Sequence, residues 1–338
     1  MLADQRGSKR LLFVFCLRTL LLLVGAGLFS GCAQQFALKS ETANTIFIAE
    51  QGEDVFHRHA PAFLVYEADL SHNCIGMAGA RYDTAGAPEV FVDPDRPAIY
   101  VGEYSFATEK GNYRNLVYRV HFSRVPFRHI TAGKHGGILV LITLNANKQP
   151  VLVSTVGTCG CYLTMTPTNF LPDSCLPEGF KREAPLRVYG ETLPGSLDYA
   201  GRENPRLLVS IRPEVHRVMD LRLVDDDSAL GSQGVPREKT DLLSVETLER
   251  LELPGGTETT SFFHEKGVAQ GYVKGALKPW ESLFMSPLAL DFLVGMDKAY
   301  YGDPAKGQPL YTSLKPWAQD DSDLRDFRRF LSYWGWRL

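Results

Sequence analysis

Cys159 and Cys161, one residue apart in "STVGTCGCYLT", close a β-branched run that reads as a strand. Sulfurs at this spacing can cross-link, hold a metal or exchange electrons as thiols. In an extended segment residues i and i+2 lie about 6.5–7 Å apart at Cα, at the edge of disulfide reach. A bond between them therefore needs a tight turn, which Gly160 permits. Separate partners suit a straight strand better. Cys161 with Cys175 would close a loop holding Pro167 and Pro172, worth about 3 kcal/mol of chain entropy, and Cys159 could then take Cys74. The competing chemistry is a soft ion, zinc or copper as Cu(I), held by sulfur and imidazole. Candidate donors are His57 and His59 in "HRH", His72 beside Cys74 in "HNC", and His135, with His121 and His129 also ahead of the Cys-Gly-Cys turn.

A cysteine nucleophile does not fit. "CGCY" is one residue short of the cysteine-protease signature, and no histidine follows in the required window, His264 being the last. The chain after the leader has no G-x-S-x-G elbow, P-loop, G-x-G-x-x-G, H-E-x-x-H or EF-hand loop. Ser196 in "PGSLDY" reads as a turn serine. Asp93 with Asp95, and Asp225 to Asp227, read as turn chemistry rather than acid–base pairs. "HRHAP" reads as an exposed strand edge with His57 and His59 on one face. No catalytic residue is assigned.

Arg6, Lys9, Arg10 and Arg18 precede and enter the apolar run "TLLLLVGAGLF", which is the length of a signal-peptide core and too short to span a bilayer. The run ends in "LFSGC". This resembles a bacterial lipoprotein signal, in which small residues precede a cysteine that takes the lipid before cleavage. Phe29, where an aliphatic residue is usual, and Arg18 depart from the pattern. The resemblance implies lipidation at Cys32, a leader over 1–31 and a tether over 32–42. Ala33 rather than Asp after the cysteine implies the outer membrane, facing the periplasm. Loss of the leader removes four positive charges and one negative and leaves 307 residues with a net charge of −6. Such an acidic, mixed-sign surface has no footprint for nucleic acid. An oxidising compartment favours disulfides among Cys74, Cys159, Cys161 and Cys175.

Short apolar runs between turn signals recur from residue 43. In "LVYRVHF", Leu116, Tyr118, Val120 and Phe122 share one face, and Val117, Arg119 and His121 the other, the pattern of an antiparallel sheet with one buried side. "GGILVLITLNANKQPVLVSTVG" reads as a hairpin. If its paired residue numbers sum to an even value near 294, His135 faces Cys159; if the sum is odd, His135 lies opposite Gly160 and points away. A polar connector near 225–240 marks a possible sub-boundary. Beyond it the spacing predicts a helix in "DLLSVETLERLEL", one started by Ser286 and Pro287, and one from Ser322 to Trp334 with Leu324, Phe327, Phe330, Leu331 and Trp334 inward. Arg325, Arg328 and Arg329 are expected on that last helix's solvated face, where attraction to anionic lipid is the alternative use. The expected fold is α+β, mostly β: an antiparallel β-sandwich-like core over 43–338, a single domain with amphipathic helices in its C-terminal third. The expected function is a lipid-anchored envelope protein that binds a partner or organises the envelope, stapled by disulfides. The alternatives are soft-metal or thiol-redox work at the Cys–His cluster, and a hydrolase without a recognisable motif.

Overall fold

A computed structural model describes residues 43–50, 52–225 and 234–338. Cys32, the leader, the tether and residues 226–233 of the connector lie outside the described residues. The chain is mostly β with few helices, as its alternating apolar runs predict. In order the strands are β1 (Thr45–Ala49), β2 (Ala62–Val65), β3 (Ile75–Tyr82), β4 (Pro88–Asp93), β5 (Ala98–Thr108), β6 (Gly111–Phe122), β7 (Arg124–Val125), β8 (Gly133–Lys134), β9 (Gly137–Leu144) and β10 (Pro150–Gly157). There follow β11 (Thr164–Pro167), β12 (Leu186–Val188), β13 (Glu191–Leu193), β14 (Arg206–Ile211), β15 (Val218–Val224), β16 (Arg237–Ser244), β17 (Leu251–Glu252) and β18 (Thr259–Thr260). The described α-helices are α1 (Val55–His59), α2 (Pro279–Ala289) and α3 (Phe327–Tyr333).

One twelve-stranded sheet runs β11-β10-β9-β6-β5-β16-β1-β2-β14-β15, with β3 and β4 attached through β6. It curls on itself. Leu116, Tyr118, Val120 and Val140 from one half meet Phe47, Phe63, Val209 and Leu221 from the other in a single core, so the two halves stack like a sandwich. Most pairings are antiparallel, but β16 runs parallel to both β1 and β5, and β2 parallel to β14. β15 before the connector and β16 after it belong to the same sheet.

The face assignment of "LVYRVHF" holds, yet its second face does not meet solvent. Residues beyond 245 cover it. Val117, Leu139 and Leu141 pack on Leu324, Phe327 and Phe330, while Tyr100 packs on Phe262 and Val273. Arg119 and His121 are consequently buried.

The C-terminal third departs from its periodicity. Asp241–Ser244 pair with Ala98–Val101 as strand instead of starting a helix, and Val245–Glu249 make only a 3-10 turn. α2 begins at Pro279 and stops at Ala289, where Leu290 turns left-handed, so Pro287 lies inside it and does not start it. α3 is shorter than expected, capped by the Asp326 side chain on Arg329 N–H. Arg325 is buried, not solvated: it forks onto Asp323 and donates to the carbonyls of Lys306 and Gly307. No helix among the described residues is long and apolar enough to cross a membrane.

Candidate functional site

Cys159 and Cys161 are bonded to each other, with Cα atoms 5.5 Å apart. The chain turns out of β10 there: Gly160 N–H donates to Gly157 O, Gly157 N–H to Cys161 O, and Gly160 takes φ +90°. This turn brings the two Cα atoms inside disulfide reach, which a straight strand would not. The expected pairs Cys161–Cys175 and Cys74–Cys159 are therefore corrected. Cys74 sits against the core between the sheet halves, its thiol donating to Ala68 O at 3.2 Å. Cys175 is buried in the opposite core beneath α3 and receives Lys110 Nζ at 3.3 Å. Both remain thiols, and burial raises Cys74 to about 11.

The histidines do not gather round these sulfurs. β9 and β10 pair in the odd register (Val153 with Ile142, Gly157 with Ile138), so His135 projects opposite Gly160. Its ring lies toward Gly275 and Phe262. His57 and His59 lie on helix α1, not on a strand, and residues two apart on a helix do not share a face. His57 bonds Asp54, and His72 occupies a separate 3-10 turn. Burial lowers both His59 and His135 to about 4. Among the described residues no three His, Cys, Asp or Glu side chains converge to hold a metal, so the donors proposed for zinc or copper are dispersed.

A different group of residues makes a site. β16 ends its pairing with β5 at Val101, leaving Gly102 to Thr108 of β5 without a neighbour on that side. The chain then swings away through the Val245–Glu249 turn. Between that turn and β5 opens a cleft of about 720 Å³, walled by Tyr104, Arg119, Glu246, Glu249, Phe263 and Tyr301. Arg119 forms its inner wall. Its Nε donates to His121 Nε2 at 2.8 Å and its Nη1 to Lys298 O at 2.9 Å. Nη2 is buried and makes no hydrogen bond. His121 accepts on Nε2 and donates from Nδ1 to His135 O at 3.1 Å, which fixes the neutral tautomer. Burial and the adjacent guanidinium hold its pKa well below the ordinary histidine value.

Arg119 thus has only neutral hydrogen-bond partners. Burial lowers its pKa to about 10 and leaves it charged, with the pull of Asp297 as the leading opposing influence. Asp297 is engaged elsewhere, accepting from Thr158 Oγ1 and pairing with Lys278 at 3.0 Å. Tyr104 and Tyr301, raised by burial to about 12, stay protonated at the cleft wall, Tyr104 donating to Tyr300 O at 3.1 Å and Tyr301 bonded to Glu249. Sequence reasoning placed Arg119 on a solvated face because alternation alone does not say what covers the second side. The available signal was the surplus of Phe, Tyr and Leu after residue 260, which needed a surface to bury.

A second polar group lies behind the disulfide. Lys278 is buried between Asp297 and Glu281, at 3.0 and 3.7 Å. Together with Cys159, Cys161 and His216, Lys278 and Asp297 line a cavity of about 20 Å³, room for one water. Burial raises Glu281 to about 7 despite Lys278. No known protein family, curated protein or solved structure matches this chain.

Proposed function

We propose that this protein is a lipid-anchored envelope protein that binds a small anionic ligand, carboxylate or phosphate, in the cleft at Arg119. The carrying observation is the guanidinium: Arg119 lines the inner end of an open cleft, its hydrogen bonds go only to neutral groups, and its Nη2 is buried without a hydrogen-bond partner among the described residues. A buried charge without an opposite partner is costly, and an anion seated in the cleft beside the guanidinium offsets that cost. Aromatic walls at Tyr104, Phe263 and Tyr301 suit a ligand with an apolar body, and Glu246 and Glu249 admit a cationic group nearby. The envelope address rests on "LFSGC" and on the basic, apolar leader before it.

Thermal melting with inorganic phosphate, sulfate, citrate and benzoate tests the cleft. Occupancy at a hundred times Kd adds about 2.7 kcal/mol, which raises Tm by several degrees, and Arg119→Gln is expected to lose the response. Absence of any shift in the parent chain across the four anions would sink the reading. Intact mass spectrometry of membrane-extracted protein tests the address, through a diacylglyceryl group on Cys32.

A thiol-redox role is the second reading, favoured by the Cys159–Cys161 bond beside Lys278 and Asp297. Here an external dithiol becomes a disulfide as Cys159 and Cys161 become two thiols, with Cys161 the more open sulfur. Resistance of the folded chain to dithiothreitol would remove it.

A further inference from the structure

Helix α2 is inside out. Its charged residues face inward: Lys278 just before it is buried, and Glu281 in its first turn meets that ammonium. Its leucines face outward, while Trp280, Phe284 and Met285 are half-buried. Leu283 and Leu288 are exposed, as are Leu277 before the helix and Leu290 and Phe292 after it, Phe292 at 88%. The patch extends sideways. Trp280 packs on exposed Phe127 at 5.0 Å and donates Nε1 to its carbonyl. On the other flank Gln319 donates to Ala289 O, which ties α2 to the Pro316–Ala318 turn, where Trp317 is 80% exposed. From Leu277 to Val294 the ionisable residues are Lys278, Glu281 and Asp291. Lys278 is buried and Glu281 mostly buried in the ion cluster, and Asp291 accepts from Tyr311 O–H at 2.6 Å. This stretch therefore offers water several leucines and aromatics and no free charge, an arrangement that marks an interaction surface.

We infer that this face docks into the interface of the bilayer that carries the lipid anchor. Three features favour a bilayer as occupant. Trp280 and Trp317 border leucines and Phe292, and tryptophan with aliphatic side chains is the composition that settles at headgroup level. Exposed Lys315, between Leu314 and Pro316 beside Trp317, is placed for a headgroup phosphate. Ten residues separate Cys32 from Ala43, a span of at most about 40 Å even when extended. The last feature rests on the lipidation reading above.

Tryptophan emission tests the inference, because Trp280, Trp317 and Trp334 are at least partly exposed and Trp336 is buried. Full chain extracted from membranes is reconstituted into phosphatidylcholine vesicles with brominated or ordinary acyl chains. Docking is expected to quench roughly half of the emission in brominated vesicles, and the double variant L290D/F292D, altered only at exposed positions, to recover most of it. Equal emission in the two vesicle types overturns the proposal, as does self-association of the parent chain through this face with no quenching. The mass of Cys32 in the same sample reports separately on the anchor. A chain without lipid that is still quenched by added vesicles supports docking while the anchor reading fails.

Discussion

Arg119 and Lys278 are both buried cations in very different company. Lys278 sits between two carboxylates, whereas Arg119 hydrogen-bonds an imidazole and a carbonyl. Their removal should therefore differ. Lys278→Met strands Asp297 and Glu281 and is expected to cost about 3–5 kcal/mol. Arg119→Met leaves only His121 Nε2 and Lys298 O unpaired, about 1–3 kcal/mol; urea denaturation of both variants checks the order. Glu281 gives a pH signature. Its carboxyl titrates higher in the folded chain than its ordinary 4.5, so its contribution is complete below 4.5 and is lost as pH rises through about 7. Glu281→Gln is expected to match the parent near pH 5 and to exceed its stability by about 2–3 kcal/mol at pH 8. The buried histidines act with the opposite sign. His135 and His216 are pushed by burial to about 4 and about 3, so their stabilisation is full above 6.5 and fades as pH falls toward those values. His216→Phe keeps the stack on Phe122 and should flatten the acid arm of the stability curve by up to about 1.4 kcal/mol per pH unit.

At the scale of elements, the Cys-Gly-Cys turn is held by its neighbours as much as by its own bond. A Cβ on Gly160 would lie 2.1 Å from Tyr311 O, and φ is +90°. Gly160→Ala should therefore cost about 2–4 kcal/mol in a thermal or urea melt. Removing both cysteines as serine opens a loop of only three residues, an entropic loss of about 1–2 kcal/mol, so the glycine is expected to be the more damaging site. How much of this was legible depends on which interactions decide each element. β6 follows from period-two alternation, and β9 and β10 from apolar, β-branched runs about the Asn145–Gln149 turn; even the two faces of "LVYRVHF" were readable. The helix expected in "DLLSVETLERLEL" was not formed, because pairing of Asp241–Ser244 with a strand some 140 residues earlier outweighs local propensity. The site was hidden for a related reason. Arg119 becomes interesting only when a distant C-terminal segment buries it, and His135 loses Cys159 through a register that no local pattern fixes.

The whole molecule combines an acidic balance with one apolar face that carries few charges. Attraction to anionic lipid through net charge is therefore a poor account of docking, and quenching in brominated vesicles is expected to persist when salt is raised severalfold, because burial of leucine and tryptophan is not screened. The layout of the sheet has a further consequence, for the order of assembly. β1 lies between β2 and β16, with Ile46 opposite Arg237. A chain that emerges from its N-terminus holds Thr45–Ala49 and its hairpin partner ready while nearly two hundred residues remain to come, and the edge reserved for Arg237–Thr240 stays open for that time. Such distant pairing makes for slow folding and a long-lived adhesive edge, so nascent or truncated chains ending before β16 should need a holding chaperone that the full-length protein, once closed, can release.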